Sequence, residues 1–210
     1  MLAAPLMITI LMWMVFVNLT SYFGLLKGYL ISFIAYWLIC CFLLSLYALG
    51  GIKSLVSLFR SVGPRFGDKP DLTLSLISWP LVIVVFYSFI PQLKLLTFPV
   101  VVLSIGLGFV NGLAEEILWR GVYIRLFKGN VWLNHIYPSF GFAIWHICPI
   151  SVIATRFSGG IYSFLIVSLL IGLSWGYYAR KTDSVRWCTI MHVAFDSLGM
   201  GGLLYAGWFQ

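Results

Sequence analysis

The apolar segment from Pro99 to Phe127 carries two adjacent carboxylates, Glu115 and Glu116, and is otherwise uncharged up to these acids. Its length and composition predict a helix that spans a lipid bilayer. A charge at bilayer depth costs about 2.5 to 17 kcal/mol, depending on the measure, unless it is paired or hydrated. The two acids therefore require a fold that shields them from lipid, and they point to a function.

The composition identifies an integral membrane protein. The 210 residues are 61% hydrophobic and 9% charged, with a mean hydropathy of +1.01, whereas soluble domains carry about 25% charged residues. We therefore predict an all-α polytopic bundle that forms a single integral membrane domain over residues 1–210. The basic residues behind the net charge of +7 lie between apolar runs. They are typical of orientation signals in a bilayer, so no nucleic-acid partner is expected.

Hydropathy predicts about seven transmembrane helices. They cover Leu2–Leu19, Tyr29–Leu49, a third helix from Leu72 or Trp79 to Ile90, Pro99–Phe127, Trp132–Ala154, Gly160–Ala179 and Trp187–Trp208. A polar turn is expected from Asn18 to Lys27. An amphipathic helix on the membrane surface is expected from Ile52 to Val62.

The charges of the loops predict the orientation. The first, third and fifth loops hold one basic residue each, whereas the even loops hold nine: Lys53, Arg60, Arg65, Lys69, Arg125, Lys128, Arg180, Lys181 and Arg186. Positive loops stay in the cytoplasm. The N-terminus is therefore predicted to be cytoplasmic and the C-terminal end to lie outside.

Ionisable residues recur within three of the predicted spans. Glu116 and Arg120 are four residues apart, in the favourable order for a helical ion pair, which leaves Glu115 without a local partner. The other two spans carry Phe142 with His146, and His192 with Asp196, again at a spacing of four residues. Three helices can therefore direct an acid, a histidine and a His/Asp pair into one cavity in the cytoplasmic half of the bilayer.

Each group also has a purely structural interpretation. A Glu–Arg pair can simply lock two helices together, and a histidine in a span often bonds to a neighbouring backbone carbonyl. We assign His135 to this second class. The four cysteines form no CxxC pair and are expected to pack as small hydrophobic residues. Ionisable groups at matched depth in several spans nevertheless favour a function.

The three motifs resemble the signature of the CAAX protease and bacteriocin-processing family of intramembrane glutamic endopeptidases, which includes the Rce1-type enzymes. In order, the motifs are Glu115-Glu116-x-x-x-Arg120, Phe142-x-x-x-His146 and His192-x-x-x-Asp196. The resemblance covers about half of the chain, and the catalytic motifs fall within residues 100–202.

The resemblance implies a role for each motif. Glu115 is expected to be the general base and His146 to help hold the attacking water, while Glu116 and Arg120 support them next to Phe142. His192 and Asp196 are expected to line the oxyanion site. The chemistry is reasonable, because a desolvated carboxylate is a stronger base and because donors held in a dry cavity stabilise an oxyanion.

One residue departs from the Rce1-type pattern, which has Asn where this chain has Asp196. An ionised Asp cannot donate a hydrogen bond to an oxyanion, so its role stays open between protonation, orientation of His192 and action elsewhere. Glu, two His and Asp would also suit Zn²⁺. The absence of an HExxH motif and the resemblance both favour a site without a cofactor or metal.

The prediction is thus a multi-pass membrane peptidase, of a prokaryotic plasma membrane, that cleaves a membrane-anchored protein or peptide substrate. CaaX-like proteins, pheromone or bacteriocin precursors and C-terminal anchor signals all remain candidate substrates. A non-catalytic immunity or scaffold protein and a Zn²⁺-dependent intramembrane metallopeptidase are the alternatives.

Overall fold

The computed structural model describes residues 1–60, 72–153, 159–201 and 204, and all regular structure within them is helical. The predicted loop residues Arg65, Lys69 and Arg156 lie outside the described residues, as does the end of the seventh predicted span. The helices are α1 (Ala4–Phe23), α2 (Leu25–Leu49), α3 (Ile52–Ser57), α4 (Leu72–Val84, continuing irregularly to Leu95), α5 (Phe98–Leu126), α6 (Tyr137–Trp145), α7 (Ile147–Ile150), α8 (Gly160–Thr182) and α9 (Arg186–Gly199).

Five of these helices are long and apolar enough to cross a membrane: α1, α2, α4 from Ile77 onwards, α5 and α8. The fifth predicted span is instead divided into a π-helical turn at Trp132–Ile136, then α6 and α7. The seventh corresponds to α9, which is described for only 14 residues. The predicted all-α polytopic bundle is confirmed, and the chain is a multi-pass membrane protein.

The predicted polar turn at Asn18–Lys27 is wrong, because α1 continues through most of it and a single residue, Gly24, joins α1 to α2. The polar side chains satisfy themselves inside the helix: Asn18 Nδ2 and Ser21 Oγ donate to carbonyls one turn back at 2.7 and 2.8 Å. Gly24 makes the sharp turn with φ of 81°. The first two spans therefore form a tight helical hairpin.

Glycines also let α5 and α9 approach each other closely. A Cβ atom on Gly108 would lie 2.7 Å from the backbone nitrogen of Ser197, and one on Gly112 would lie 2.7 Å from that of Val193. Small residues one turn apart allow such backbone contact between membrane helices. This packing brings the Glu115 end of α5 beside His192 on α9.

Aromatic side chains fill the interior of the bundle, among them Trp119, Trp145, Trp175 and Tyr36, each at most 1% exposed. Large apolar residues on the outer faces of the helices are exposed, as Leu6 and Met7 of α1 are. This distribution suits a protein whose outer face meets lipid. The four cysteines are buried and free, as the sequence predicts.

Two π-helical stretches lie next to the acidic motif. One is Tyr36–Leu43 within α2, and the other is Ile117–Val122, which follows Glu116 directly within α5. Such stretches are rare and occur frequently at functional sites, because the wider turn redirects side chains. Here they lie where Tyr36 and Arg120 turn inwards.

Candidate active site

Glu115 is a buried carboxylate, 1% exposed, that is held at one of its two oxygens. Its Oε1 accepts hydrogen bonds from the Trp145 indole at 2.7 Å and from the Tyr36 hydroxyl at 3.2 Å. The Tyr36 oxygen in turn accepts from the Trp119 indole at 2.8 Å, which leaves its single O–H for Glu115. Donors from α2 and α6 therefore fix the carboxylate.

The second oxygen, Glu115 Oε2, makes no hydrogen bond with the described residues. It lies 3.5 Å from Nε2 of His192. A carboxylate with one oxygen held and the other free is oriented but keeps a lone pair for a proton. Oε2 is thus the atom of Glu115 that can act as a base.

Glu116 forms the predicted pair with Arg120, and it also binds His192, a contact that the sequence did not predict. Its Oε1 lies 2.9 Å from Arg120 Nη1 and 2.9 Å from Nδ1 of His192. All three side chains are at most 3% exposed. The Arg120 guanidinium lies 4.1 Å above the ring of Phe142, a cation–π contact that covers its other face.

His192 connects the acids of the first motif to that of the third. Its Nδ1 donates to Glu116, and its Nε2 faces both Glu115 Oε2 and Asp196 Oδ2 at 3.5 Å. Its ring packs against Trp175, with the centroids 4.8 Å apart. The imidazole therefore has a fixed plane, with Nε2 directed at the free oxygen of the candidate base.

His146 is half-buried and is tied to its own helix. Its Nδ1 lies 2.7 Å from the carbonyl oxygen of Phe142. Because a carbonyl only accepts, Nδ1 carries the proton and Nε2 keeps its lone pair. The structure places His146 directly after Trp145, which donates to Glu115, and shows no hydrogen bond from His146 to an acid among the described residues. His135, by contrast, makes the expected bond to a backbone carbonyl, that of Leu173 at 2.8 Å.

Asp196 has a partner that the sequence analysis missed. Its Oδ2 accepts a 2.8 Å hydrogen bond from the amide nitrogen of Asn111, whose own Oδ1 accepts one of 2.8 Å from the Trp37 indole. A signal was present for Asn111, since it is a polar residue one turn before Glu115 in an apolar helix. The contributions of Tyr36, Trp37 and Trp145 have no comparable signal, because apolar spans are rich in aromatic residues.

A small apolar groove of about 70 Å³ lies between α2, α5 and the residues that follow α9. Its lining includes Tyr29, Phe33, Trp37, Leu107 and Leu204. Trp37 joins this groove to the polar site, since its indole binds Asn111. Two hydrogen bonds, from Trp37 to Asn111 and from Asn111 to Asp196, therefore connect the groove to the polar site.

The structure brings Glu115, Glu116, Arg120, His192 and Asp196 into one connected cluster, with Phe142 over the guanidinium. His146 belongs to the rim of the cluster through its ring contact with Phe142, centroids 4.7 Å apart. Within the part of the chain that the structure describes, no three His, Cys, Asp or Glu side chains converge as metal ligands would.

A comparison with known families matches the part of the chain that carries the three motifs. Residues 97–198 match the family model described as type II CAAX prenyl endopeptidase, Rce1-like. The matched segment contains α5, α6, α7 and α8 and nearly all of α9, and with them all three motifs. A search of curated proteins found no match, and neither did a search of solved structures.

Proposed function

We propose that this chain, which belongs through residues 97–198 to the Rce1-like family of type II CAAX prenyl endopeptidases, is a glutamic-type intramembrane endopeptidase that needs no metal. The family acts on peptide bonds as a hydrolase, and the chain is a multi-pass membrane protein. The substrate is a membrane-anchored protein or peptide of the CaaX-like, pheromone, bacteriocin-precursor or C-terminal-anchor kind, and the membrane is a prokaryotic plasma membrane.

The observation that carries the proposal is the asymmetry of Glu115. Two donors hold Oε1, whereas Oε2 is free and faces His192. Glu116 also has an oxygen without a hydrogen bond, but the Arg120 cation pairs with its other oxygen, whereas both donors to Glu115 are neutral. A general base must keep one lone pair for the proton it removes.

In the proposed reaction, Glu115 Oε2 removes a proton from a water that His146 Nε2 helps to hold. The resulting hydroxide attacks the scissile carbonyl carbon, and the carbonyl oxygen becomes an oxyanion. His192, with a proton on each ring nitrogen, donates from Nε2 to that oxyanion, while the Glu116–Arg120 pair fixes the ring through Nδ1. The proton on Glu115 then passes to the departing amine as the C–N bond breaks.

The apolar groove suits a lipid-bearing or apolar part of such a substrate. It is lined almost entirely by hydrocarbon and aromatic groups, and it meets the polar cluster at Trp37. Because lipid tails are as apolar as this lining, an apolar chain in the groove would be held by close packing rather than by the hydrophobic effect. A peptide attached to that chain would extend towards Glu115.

The test is cleavage of a fluorogenic peptide ending in a farnesylated CaaX sequence by the full chain in liposomes, with the same peptide lacking the farnesyl group for comparison. Wild type should turn over the farnesylated peptide. Glu115→Gln and His146→Ala should each lower kcat by at least about a hundredfold with the melting temperature nearly unchanged. The double variant should be scarcely slower than either single one, because residues that act as a unit are not additive.

Other outcomes separate the alternatives. A Glu115→Gln variant that retains activity within about tenfold would remove Glu115 as the base, since ~1.4 kcal/mol is too little for that role. Activity lost to a chelator and restored by Zn²⁺ would favour a metallopeptidase. Wild type that binds the peptide and turns over neither it nor the unmodified peptide would favour an immunity or scaffold protein.

A further inference from the structure

Asn111 is a buried amide that the mechanism above does not use. It is 7% exposed and lies on α5, one helical turn before Glu115. Gly108 and Gly112 flank it and allow α9 to approach within van der Waals contact of α5. A polar side chain at such a close helix–helix contact costs free energy unless its hydrogen bonds are made, so its placement calls for an explanation.

Trp37 fixes the orientation of this amide. An indole N–H only donates, so the Asn111 atom 2.8 Å from Trp37 Nε1 is the carbonyl oxygen. The amide nitrogen must then face Asp196, where it donates at 2.8 Å. The amide is held at both ends, by α2 and by α9, and cannot exchange its oxygen and nitrogen without losing both bonds.

One donor of the amide is still uncommitted. The nitrogen of an Asn side chain carries two N–H groups, and Asp196 accepts one of them. Within the described part of the chain, the nitrogen makes no second hydrogen bond. Its position is next to the reacting groups, because Asp196 Oδ2 lies 3.5 Å from His192 Nε2, and that nitrogen lies 3.5 Å from Glu115 Oε2.

We propose that Asn111 is a catalytic residue, the amide that donates its second N–H to the oxyanion of the tetrahedral intermediate, and that Asp196 and Trp37 hold it in place. The inference rests on the proposed peptidase function and adds a residue to it. Asp196 accepts the hydrogen bond it makes with Asn111, so a carboxylate at this position does not have to donate. The donor, the Asn111 amide, is on α5, and the acceptor, the Asp196 carboxylate, is on α9.

The experiment measures kcat and KM for the fluorogenic farnesylated CaaX peptide with wild type, Asn111→Leu, Asn111→Asp and the exchange variant Asn111→Asp/Asp196→Asn. Removal of one oxyanion donor lowers kcat about 10²- to 10³-fold. We expect that loss in Asn111→Leu, with KM changed by less than about threefold because the donor acts on the transition state. Ser104→Ala is the matched control, since Ser104 is a buried polar residue of α5 whose hydroxyl has no partner among the described residues.

The exchange variant tests the pair itself. Asn111→Asp sets two carboxylates against each other and removes the amide, so it should be as slow as Asn111→Leu. Adding Asp196→Asn restores an amide in the same hydrogen bond and should recover kcat by at least about tenfold. A purely structural role for Asn111 predicts recovery of the melting temperature in the exchange variant without recovery of kcat.

The outcomes are separable. A wild-type protein that is inert towards both peptides overturns the proposed function, and the donor with it. An active wild type with Asn111→Leu within about threefold in kcat overturns the donor alone. If Asn111→Leu does not fold, the isosteric exchange variant decides: no gain in kcat over Asn111→Asp overturns the proposal, and recovery supports it.

Discussion

The rings of Tyr36 and Trp145 stack face to face with their centroids 3.6 Å apart, and both residues donate to the same oxygen of Glu115. The stack makes a rigid pair of donors from α2 and α6. It means that the α1–α2 hairpin, which lies outside the segment matched by the family model, contributes directly to the candidate active site. The orientation of the base therefore depends on parts of the chain far apart in sequence.

Tyr36→Phe should lower kcat about tenfold or more with little effect on KM. The variant keeps the stack but removes one donor to Glu115 Oε1, and a hydrogen bond to a charged group is worth about 1.5 to 3 kcal/mol. Tyr47→Phe on the same helix is the control, because Tyr47 is 87% exposed and no described residue hydrogen-bonds its hydroxyl. Steady-state kinetics of the two variants would decide the matter. Equal kcat values would show that Trp145 alone suffices to hold the carboxylate.

Glu116→Ala should destabilise the protein strongly as well as inactivate it. The substitution leaves Arg120 and His192 buried without their shared acceptor, and breaking a buried pair costs about 3 to 5 kcal/mol. We expect poor yield or a large fall in the melting temperature in detergent. Asp183→Asn is the control: Asp183 pairs with Arg125 at 2.8 Å but is half-exposed, so the loss should not exceed about 1 kcal/mol. Similar melting temperatures for the two variants would contradict the importance of the buried cluster.

Gly108→Ala and Gly106→Ala should have opposite effects on the stability of the protein, although both residues lie on α5. A Cβ at position 108 would meet the Ser197 backbone at 2.7 Å, whereas one at position 106 would have nothing within 4 Å. The first change should push α9 away and lower both stability and kcat. The second should raise stability by roughly 0.5 to 1 kcal/mol, because Ala favours a helix interior over Gly. Thermal unfolding and turnover of the two variants provide the measurement, and an unaffected Gly108→Ala would mean that the helices are further apart.

The orientation in the membrane can be tested by cysteine labelling, since the four natural cysteines are buried. Lys128 lies in an even loop and its side chain is 65% exposed, while Tyr22 is 82% exposed beside the α1–α2 turn. With a cytoplasmic N-terminus, Lys128→Cys should resist impermeant thiol reagents in intact cells and react after lysis. Tyr22→Cys should react in both. The reverse pattern would invert the topology.

The sequence was sufficient to predict the features that depend on local spacing. Hydropathy located the five long apolar helices but also predicted an unbroken fifth span, which the structure divides. The spacing of four residues predicted the Glu116–Arg120 pair and the shared face of Phe142 and His146, whose rings are in contact. These features follow from helix periodicity alone. The loop between the first two spans was wrong because the side chains of Asn18 and Ser21 bond within the helix, and hydropathy treats them only as polar.

Contacts between helices could not be predicted from the sequence, for a physical reason. Which residue of α2 meets Glu115 depends on the rotation of that helix about its axis, and the π-helical stretch that begins at Tyr36 alters the rotation. The same holds for Asn111 and Asp196, whose contact requires the close approach at Gly108 and Gly112. The sequence identified the acids of the site, but it did not identify the donors that orient them.

The tight α1–α2 hairpin has a consequence for biogenesis. It supplies Tyr36 and is synthesised before α9, which carries His192, and N-terminal parts of a chain generally fold first during synthesis. A nascent chain that has inserted only its first four long helices has Tyr36 beside Glu115 but lacks both Trp145 and the imidazole of His192. The proposed peptidase would therefore be inactive towards neighbouring proteins until α9 has joined the bundle.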